Sequence, residues 1–562
     1  MMEKRVIVFL VLSLAIIFGY EYLLKELGLL PEPPVPSESA PASTSQPAVP
    51  PPSTASTPNV PSGTPASSAS GSIERPSSRD SARSAAEFIE VDTALYRAKF
   101  SSRGAVLTNW ELKRYRGTSD GQPAVELVRQ EGKFSGPLTV MTDNAELTKE
   151  LSEGVYRVEK DFATLDQAHQ TGHVTFVYDS PAAGVRIEKQ LTFHANSYLV
   201  DVALKSTGLT GSVRVGVGTN FGIVEWGEGF IGSVGPASRV DDKIEKEVPD
   251  SEIERKGAVI WGGLQDKYFL SVLIPKEGSG VVAKKEGEKL VSTSVRMPVD
   301  PAGSPIAFQL FAGPKEYDTL QSLGIGLEDT IDFGWFLFGS WDTVRAVAKP
   351  IFYVLRSING YTHNYGVTII LLTVAIKLLF IPLQYKSYKS MKQMQEIQPK
   401  VLALQEKFKE DRERLNKELI KVYRDNKVNP VGGCLPMVLQ MPVFVALFNI
   451  LYMTIDLRQA PLGLWISDLS VQDPYYILPI IMGVSMLIMQ KIQPTTMDPA
   501  QAKIMLLLPA LMTFLFINFP AGLVLYWLTN NVLSIGQQLA TDRFIFRNRR
   551  PLPTSEEAEK SS

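Results

Sequence analysis

GVTIILLTVAIKLLFIPLQ (366–384) is apolar for the length of a bilayer-spanning helix, yet it carries Lys377 in its interior. A helix rising about 1.5 Å per residue puts Lys377 roughly 16 Å from the Gly366 end and roughly 13 Å from the next cation, Lys386. Such a position is near mid-membrane. A cation there costs at least about 2.5 to 3.5 kcal/mol on insertion scales, so it is expected to face a partner or a wet cavity rather than lipid. Thr373 and Gln384, four residues before and seven after, extend a polar stripe along the same helix face.

Further apolar segments follow at 432–455, 476–490, 504–518 and 521–538. As a single helix the last two would greatly exceed the roughly 30 Å hydrocarbon thickness, and Phe519, Pro520, Ala521 and Gly522 break them into a hairpin of two short spans. The loop 385–429 carries twelve Lys and Arg residues, whereas 456–475 carries only Arg458. By the positive-inside rule the first is cytoplasmic and the second lies outside. Within 385–429, Met391, Met394, Ile397, Val401 and Leu404 share one helical stripe, and Leu415, Leu419, Val422 and Tyr423 share another. The charged turn 410–414 separates them, which predicts an antiparallel helical hairpin projecting into the cytoplasm as a docking surface.

At the other end, MMEKR precedes a short apolar run, so residues 1–24 read as a retained signal anchor with its basic flank inside. Residues 25–86 are rich in Pro, Ser, Ala and Thr and cannot bury a core; they read as a linker. Counting the anchor gives six transmembrane helices with both termini cytoplasmic, ending in a core at 361–545 and a tail at 546–562. A net charge of −2 says little about partners, and a single cysteine, Cys434, excludes an intrachain disulfide.

Residues 87–324 have a β texture. Runs such as YRAKF (96–100), HVTFVY (173–178), VRIEKQLTF (185–193) and YFLSVLI (268–274) are separated by Gly, Pro, Asn and Asp, as in an all-β sandwich. His169 and His173 lie four apart, but HQTGH (169–173) contains a glycine and reads as lying between strands, so the helical spacing argument for a metal pair fails. No phosphate loop, G-x-S-x-G elbow or H-E-x-x-H occurs, so no catalytic residue and no metal site are expected. Residues 325–360 contain Val344, Val347, Ile351, Phe352 and Leu355 interleaved with Arg345, Lys349 and Arg356, the pattern of a basic amphipathic helix on the membrane surface.

No Asp or Glu lies in the five C-terminal spans. Lys377 is therefore expected to have no carboxylate partner in the membrane, which disfavours an ion-coupled transporter and points to a hydrated groove reached from the cytoplasm. Gln440, Asn449, Tyr526, Trp527, Asn530 and Asn531 are the other polar groups able to line it. Each one taken alone is better read as an interhelical hydrogen bond.

The segments KVNPVGGCLPMVLQMPVFVALF (427–448), LRQAPLGLWISDLSVQDPYYILPIIMG (457–483), QPTTMDPAQAKIM (493–505) and FPAGLVLYWLTNNVLSIGQQ (519–538) strongly resemble the YidC/Oxa1/Alb3 membrane protein insertases. The β domain, through SSRGAVLTNWELK (101–113), YFLSVLIP (268–275) and FAGPKEYDTL (311–320), resembles the branch found in bacteria with two membranes. This resemblance implies a multidomain inner-membrane protein: an all-α polytopic core, an all-β periplasmic supersandwich and a cytoplasmic helical hairpin. It implies a non-enzymatic insertase and chaperone without cofactors, working on nascent membrane proteins through a groove open to cytoplasm and lipid. It also implies partners, namely the Sec translocon (SecYEG and SecDF), membrane lipids, and the ribosome and signal recognition particle receptor at the hairpin, with no direct nucleic-acid contact. Lys377 stands where the family usually has the groove arginine, five residues before Pro382. Carried over by motif, Thr373, Met441, Pro442, Phe444, Tyr526 and Trp527 face substrate, with Gln440 and Asn530 as polar lining. A secondary transporter and a membrane-anchored carbohydrate enzyme are the rival readings.

Overall fold

The computed structural model describes residues 86–117, 123–128, 136–180, 184–219, 234–246, 249–287, 290–300, 303–336, 339–408, 411–428, 435–492 and 506–543. The expected anchor at 1–24, nearly all of the linker at 25–86, Cys434 and the tail at 546–562 lie outside them.

The β texture produces three antiparallel sheets. Nine strands form the largest, in the spatial order Lys243–Glu245, Gly235–Val240, Val259–Gln265, Phe269–Pro275, Ile306–Pro314, Leu199–Thr207, Val185–His194, Thr171–Ser180 and Arg157–Lys160. A five-stranded sheet, ordered Ile253–Lys256, Gly280–Lys285, Val291–Pro298, Ser212–Thr219 and Val140–Thr142, packs on it. Gly262 permits the approach, because a Cβ there would come within 2.8 Å of Val281. The third sheet, four strands running from Phe88–Asp92 to Ala124–Glu126, closes the end, with Tyr96 stacked on Trp110 at 3.9 Å between ring centroids and Phe100 edge-on to Phe193 at 5.7 Å. These rings are fully buried, and each contributes roughly 1.5 to 3 kcal/mol of apolar burial. His173 sits inside a strand, its Nδ1 on the Thr192 hydroxyl at 3.0 Å, rather than between strands.

Helix α1 (Ala145–Glu153) is capped by Asn144, whose side chain accepts from the backbone of Glu146 and Leu147. Helix α2 (Tyr317–Ser322) follows the last long strand and leads to α3 (Asp342–Thr362). Trp335–Phe336 and Gly339–Ser340 pair as a small hairpin, so the helix expected within 325–360 begins only at Asp342. Val344, Phe352 and Leu355 are buried in the protein's own core, and Phe352 packs on Tyr317 and Phe333 at 5.2 and 4.8 Å. The basic side chains are likewise partnered: Arg345 pairs with Asp332 at 3.9 Å, Lys349 with Asp329 at 3.7 Å, and Arg356 with Asp318. These aromatic and basic residues thus have partners at the end of the β domain.

Helix α4 (Tyr365–Lys407) is a single 43-residue helix that fuses the expected span 366–384 with the first arm of the expected hairpin, even though it contains Pro382 and Pro399. It is the one described helix long and apolar enough to cross a membrane by length and composition. Helix α5 (Arg412–Asp425) packs back on it. Helices α6 (Leu435–Met453), α7 (Ile477–Ile492), α8 (Leu508–Phe516) and α9 (Ala521–Thr541) complete the bundle, with Pro520 as the break between the last two. The start of α9 presents backbone N–H groups without intrahelical partners. Two are met by the loop between α6 and α7, Ala521 N–H on the Val471 carbonyl at 2.7 Å and Gly522 N–H on that of Leu469 at 2.9 Å.

Candidate functional site

Lys377 is placed by the helical repeat of α4 on the same face as Thr373, and both are buried, at 9% and 2% exposure. Thr373 donates back to the Ile369 carbonyl at 2.6 Å, which satisfies its hydroxyl without a neighbour. Lys377 reaches across to α9, where its Nζ donates to Ser534 Oγ at 2.7 Å; that hydroxyl in turn donates to the Asn530 carbonyl at 2.7 Å. The lysine therefore has a partner within the fold. It is a neutral hydroxyl, and no carboxylate pairs with Lys377 among the described residues. Ser534 is absent from the sequence-derived set. The signal was available, since Tyr526, Asn530 and Ser534 recur every four residues on one face of α9.

A second group forms where α6 meets α9. Phe444 lies edge-on to Trp527 at 5.0 Å and near-parallel to Tyr526 at 6.4 Å, and Phe516 of α8 closes on Trp527 at 4.8 Å. Gln440 meets the Tyr526 hydroxyl, so one polar contact sits at the edge of this aromatic wall. Pro442 is half-buried, whereas Met441, next to it, is 51% exposed. The structure thus brings Thr373, Lys377, Asn530 and Ser534 together on the α4–α9 side, and Gln440, Phe444, Tyr526 and Trp527 on the α6–α9 side. Both groups share α9.

Two of the remaining polar candidates hold helices in place. Asn531 donates to Ser485 of α7 at 3.0 Å, and Asn449 donates to the Phe333 carbonyl at 2.9 Å, which ties α6 to the end of the β domain. No group of three or more His, Cys, Asp or Glu side chains able to hold a metal occurs among the described residues.

Two family models divide the chain almost as the folds do. The YidC periplasmic domain matches residues 88–354, and the 60Kd inner membrane protein family matches 357–548. A membrane protein insertase YidC from Syntrophus aciditrophicus is 38% identical over 568 residues, which span 96% of this chain and 99% of that relative. The chain belongs to the YidC family of membrane protein insertases. The YidC insertase of Geobacter metallireducens is likewise 38% identical, over 96% of this chain and 98% of its own. A solved active YidC insertase with its first transmembrane domain resolved matches at 18% identity with a TM-score of 0.35, covering 80% of this chain and 91% of that one. As a YidC family member the chain is an inner-membrane protein, and residues 88–354 form its periplasmic domain. YidC relatives are named as insertases and not as enzymes, which leaves neither the transporter nor the carbohydrate enzyme favoured.

Proposed function

We propose that the chain inserts nascent membrane segments along a polar path on the face of α4 that carries Thr373 and Lys377, with the aromatic wall of α6 and α9 guiding the apolar part into lipid. The observation that carries this reading is the bond from buried Lys377 to Ser534 at 2.7 Å. A neutral hydroxyl holds the lysine in place but leaves its charge uncompensated. An acidic group on a translocating flank offers a charge-assisted hydrogen bond about twice as strong as the neutral one it displaces, so it can exchange with Ser534. The apolar helix of the substrate then leaves past Phe444 and Trp527, driven by burial at about 25 cal/mol per Å², and no nucleotide is spent. Gln440, Met441, Pro442, Tyr526 and Asn530 line the same route in this proposal.

The topology that goes with it has six spans, 1–24, 366–384, 432–455, 476–490, 504–518 and 521–538, with both termini in the cytoplasm. Its division is an anchor, a linker to 86, the β domain at 87–324, a connecting segment at 325–360, the core at 361–545 and a tail. The charge asymmetry of the loops supports this arrangement. The 385–429 segment is then the cytoplasmic hairpin and the proposed contact for the ribosome and the signal recognition particle receptor, while the Sec translocon is the proposed partner for larger substrates.

The test compares wild type, Lys377→Ala and Lys377→Arg for insertion of a single-span substrate with an acidic translocated tail. Insertion by the arginine variant near the wild-type level, with alanine lowered on the order of tenfold for each 1.4 kcal/mol lost, is the expected pattern. Equal insertion by all three overturns the charge assignment.

A further inference from the structure

The β domain and the membrane core border an open cleft of about 770 Å³ that shares no wall with the Lys377 site. Arg116 and Lys267 border it from the β domain, Tyr452 from the last turn of α6, Asp468 from the loop before α7, and Asn518 and Pro520 from the connection into α9. That volume is in the range of ligand pockets. Cations gather around it. Lys267 Nζ lies 3.7 Å from the Tyr452 ring centroid and 4.7 Å from that of Tyr268. Arg458 approaches the same Tyr268 ring at 5.4 Å and donates to the Arg116 carbonyl. Arg458 is buried, and its Nε and Nη1 have no hydrogen-bond partner among the described residues.

Asp468 is the one carboxylate among the walls, and its side chain accepts from the Ser470 backbone. Asp266 lies behind, accepting from the backbone of Tyr268 and Phe269. Among the described residues, Arg116, Lys267 and Arg458 meet here with Asp468 and Asp266, and burial together with neighbouring Arg458 lowers Lys267 to about 7. An anion bound between Arg116 and Lys267 would relieve that repulsion. Because residues 88–354 are periplasmic, the helix ends that meet Lys267 and Arg116 lie on the periplasmic side. The same loop exposes Leu464 at 93% and Tyr475 at 66%, side chains suited to the membrane interface.

We propose that this cavity seats the phosphate of an anionic phospholipid headgroup from the outer leaflet, which then bridges the periplasmic domain and the membrane core. It rests on the periplasmic placement of the β domain and not on the insertion mechanism. The experiment uses full-length protein, delipidated in detergent and titrated by native mass spectrometry with short-chain phosphatidylglycerol, short-chain phosphatidylcholine or inorganic phosphate. Wild type and Lys267→Arg should retain phosphatidylglycerol, and Arg116→Glu and Lys267→Gln should each weaken it at least about tenfold, the affinity equivalent of 1.4 kcal/mol. Arg116 is exposed and its carbonyl is unchanged by substitution, so this variant reports on charge rather than on folding. Unchanged retention in Arg116→Glu, equal retention of phosphatidylcholine, or full displacement by millimolar inorganic phosphate would each overturn the proposal. Lys377→Ala should leave lipid retention unaltered, which separates this test from that of the insertion site.

Discussion

Ser534 stands where a carboxylate would silence Lys377. An aspartate there would lie within reach of Nζ and form a buried ion pair that a passing substrate could not displace cheaply, since opening such a pair costs about 3 to 5 kcal/mol. Ser534→Asp is therefore expected to insert an acidic-tail substrate as poorly as Lys377→Ala while still accumulating in the membrane; wild-type insertion by Ser534→Asp would refute the exchange. Lys377 was legible in the sequence because a charge inside an apolar span is expensive, whereas Ser534 was not singled out because a serine in such a span costs little. In the β domain Lys189 was equally hard to read. It is 1% exposed, donates to the Ala105 and Leu138 carbonyls at 2.8 and 2.7 Å, and is pushed down to about 7 by burial. Its folded pKa lies below the unfolded value, so between about 7 and 10.4 the unfolded chain binds more protons and stability rises with pH. Below about pH 7 this group adds no slope. The thermal midpoint of the protein should rise from pH 7 to pH 9, and Lys189→Met should flatten that rise without abolishing it, because buried Lys315 and Lys267 are also lowered to about 7.

Among the elements, the apolar periods gave the helices their places, and the proline and charge breaks gave most of their ends. Helix α9 starts at Ala521 as the Pro520 break requires, and the turn between α4 and α5 falls at the charged segment near Asp411. What hydrophobic period could not show is which face meets which neighbour. Helix α3 carries the residues of a surface-seeking amphipathic helix, yet three acids from the preceding segment claim its cations. Close approaches are hidden in the same way. At Gly483 of α7 a Cβ would come within 2.0 Å of Thr513 Oγ1 on α8, and that hydroxyl is held by the Pro509 carbonyl at 2.7 Å. Gly483→Ala should therefore force α7 and α8 apart at a cost of about 1 to 3 kcal/mol, lowering the thermal midpoint in detergent. Adding Thr513→Ala should recover most of the loss, and failure of that double variant to recover would place the strain elsewhere.

For the whole molecule, the sequence separates a β half from a helical half but leaves their junction unread, because the contacts that join them are long-range and involve backbone. Asn449 on α6 finds its acceptor at Phe333, 116 residues earlier in the chain. Tyr317 and Phe333 complete the packing around Phe352, and Asp318, Asp329 and Asp332 pair with the cations of α3. The segment from α2 to Phe333 therefore serves the membrane core structurally, even though it follows the last strand of the β domain. This division predicts unequal deletions. Removing 87–315 takes away the sheets but keeps every one of those contacts, so insertion of a small single-span substrate should persist. Extending the deletion to 336 strips α3 of its aromatic packing and its acids and leaves the Asn449 amide without its Phe333 acceptor, at roughly 1 to 3 kcal/mol for that buried polar group alone. Insertion should then fail. Protease protection of the translocated tail, in cells depleted of their own insertase, measures both variants. Loss of insertion in the shorter deletion would mean that the sheets themselves take part in insertion, whereas survival of the longer one would mean that α3 holds its place without the β domain's closing segment.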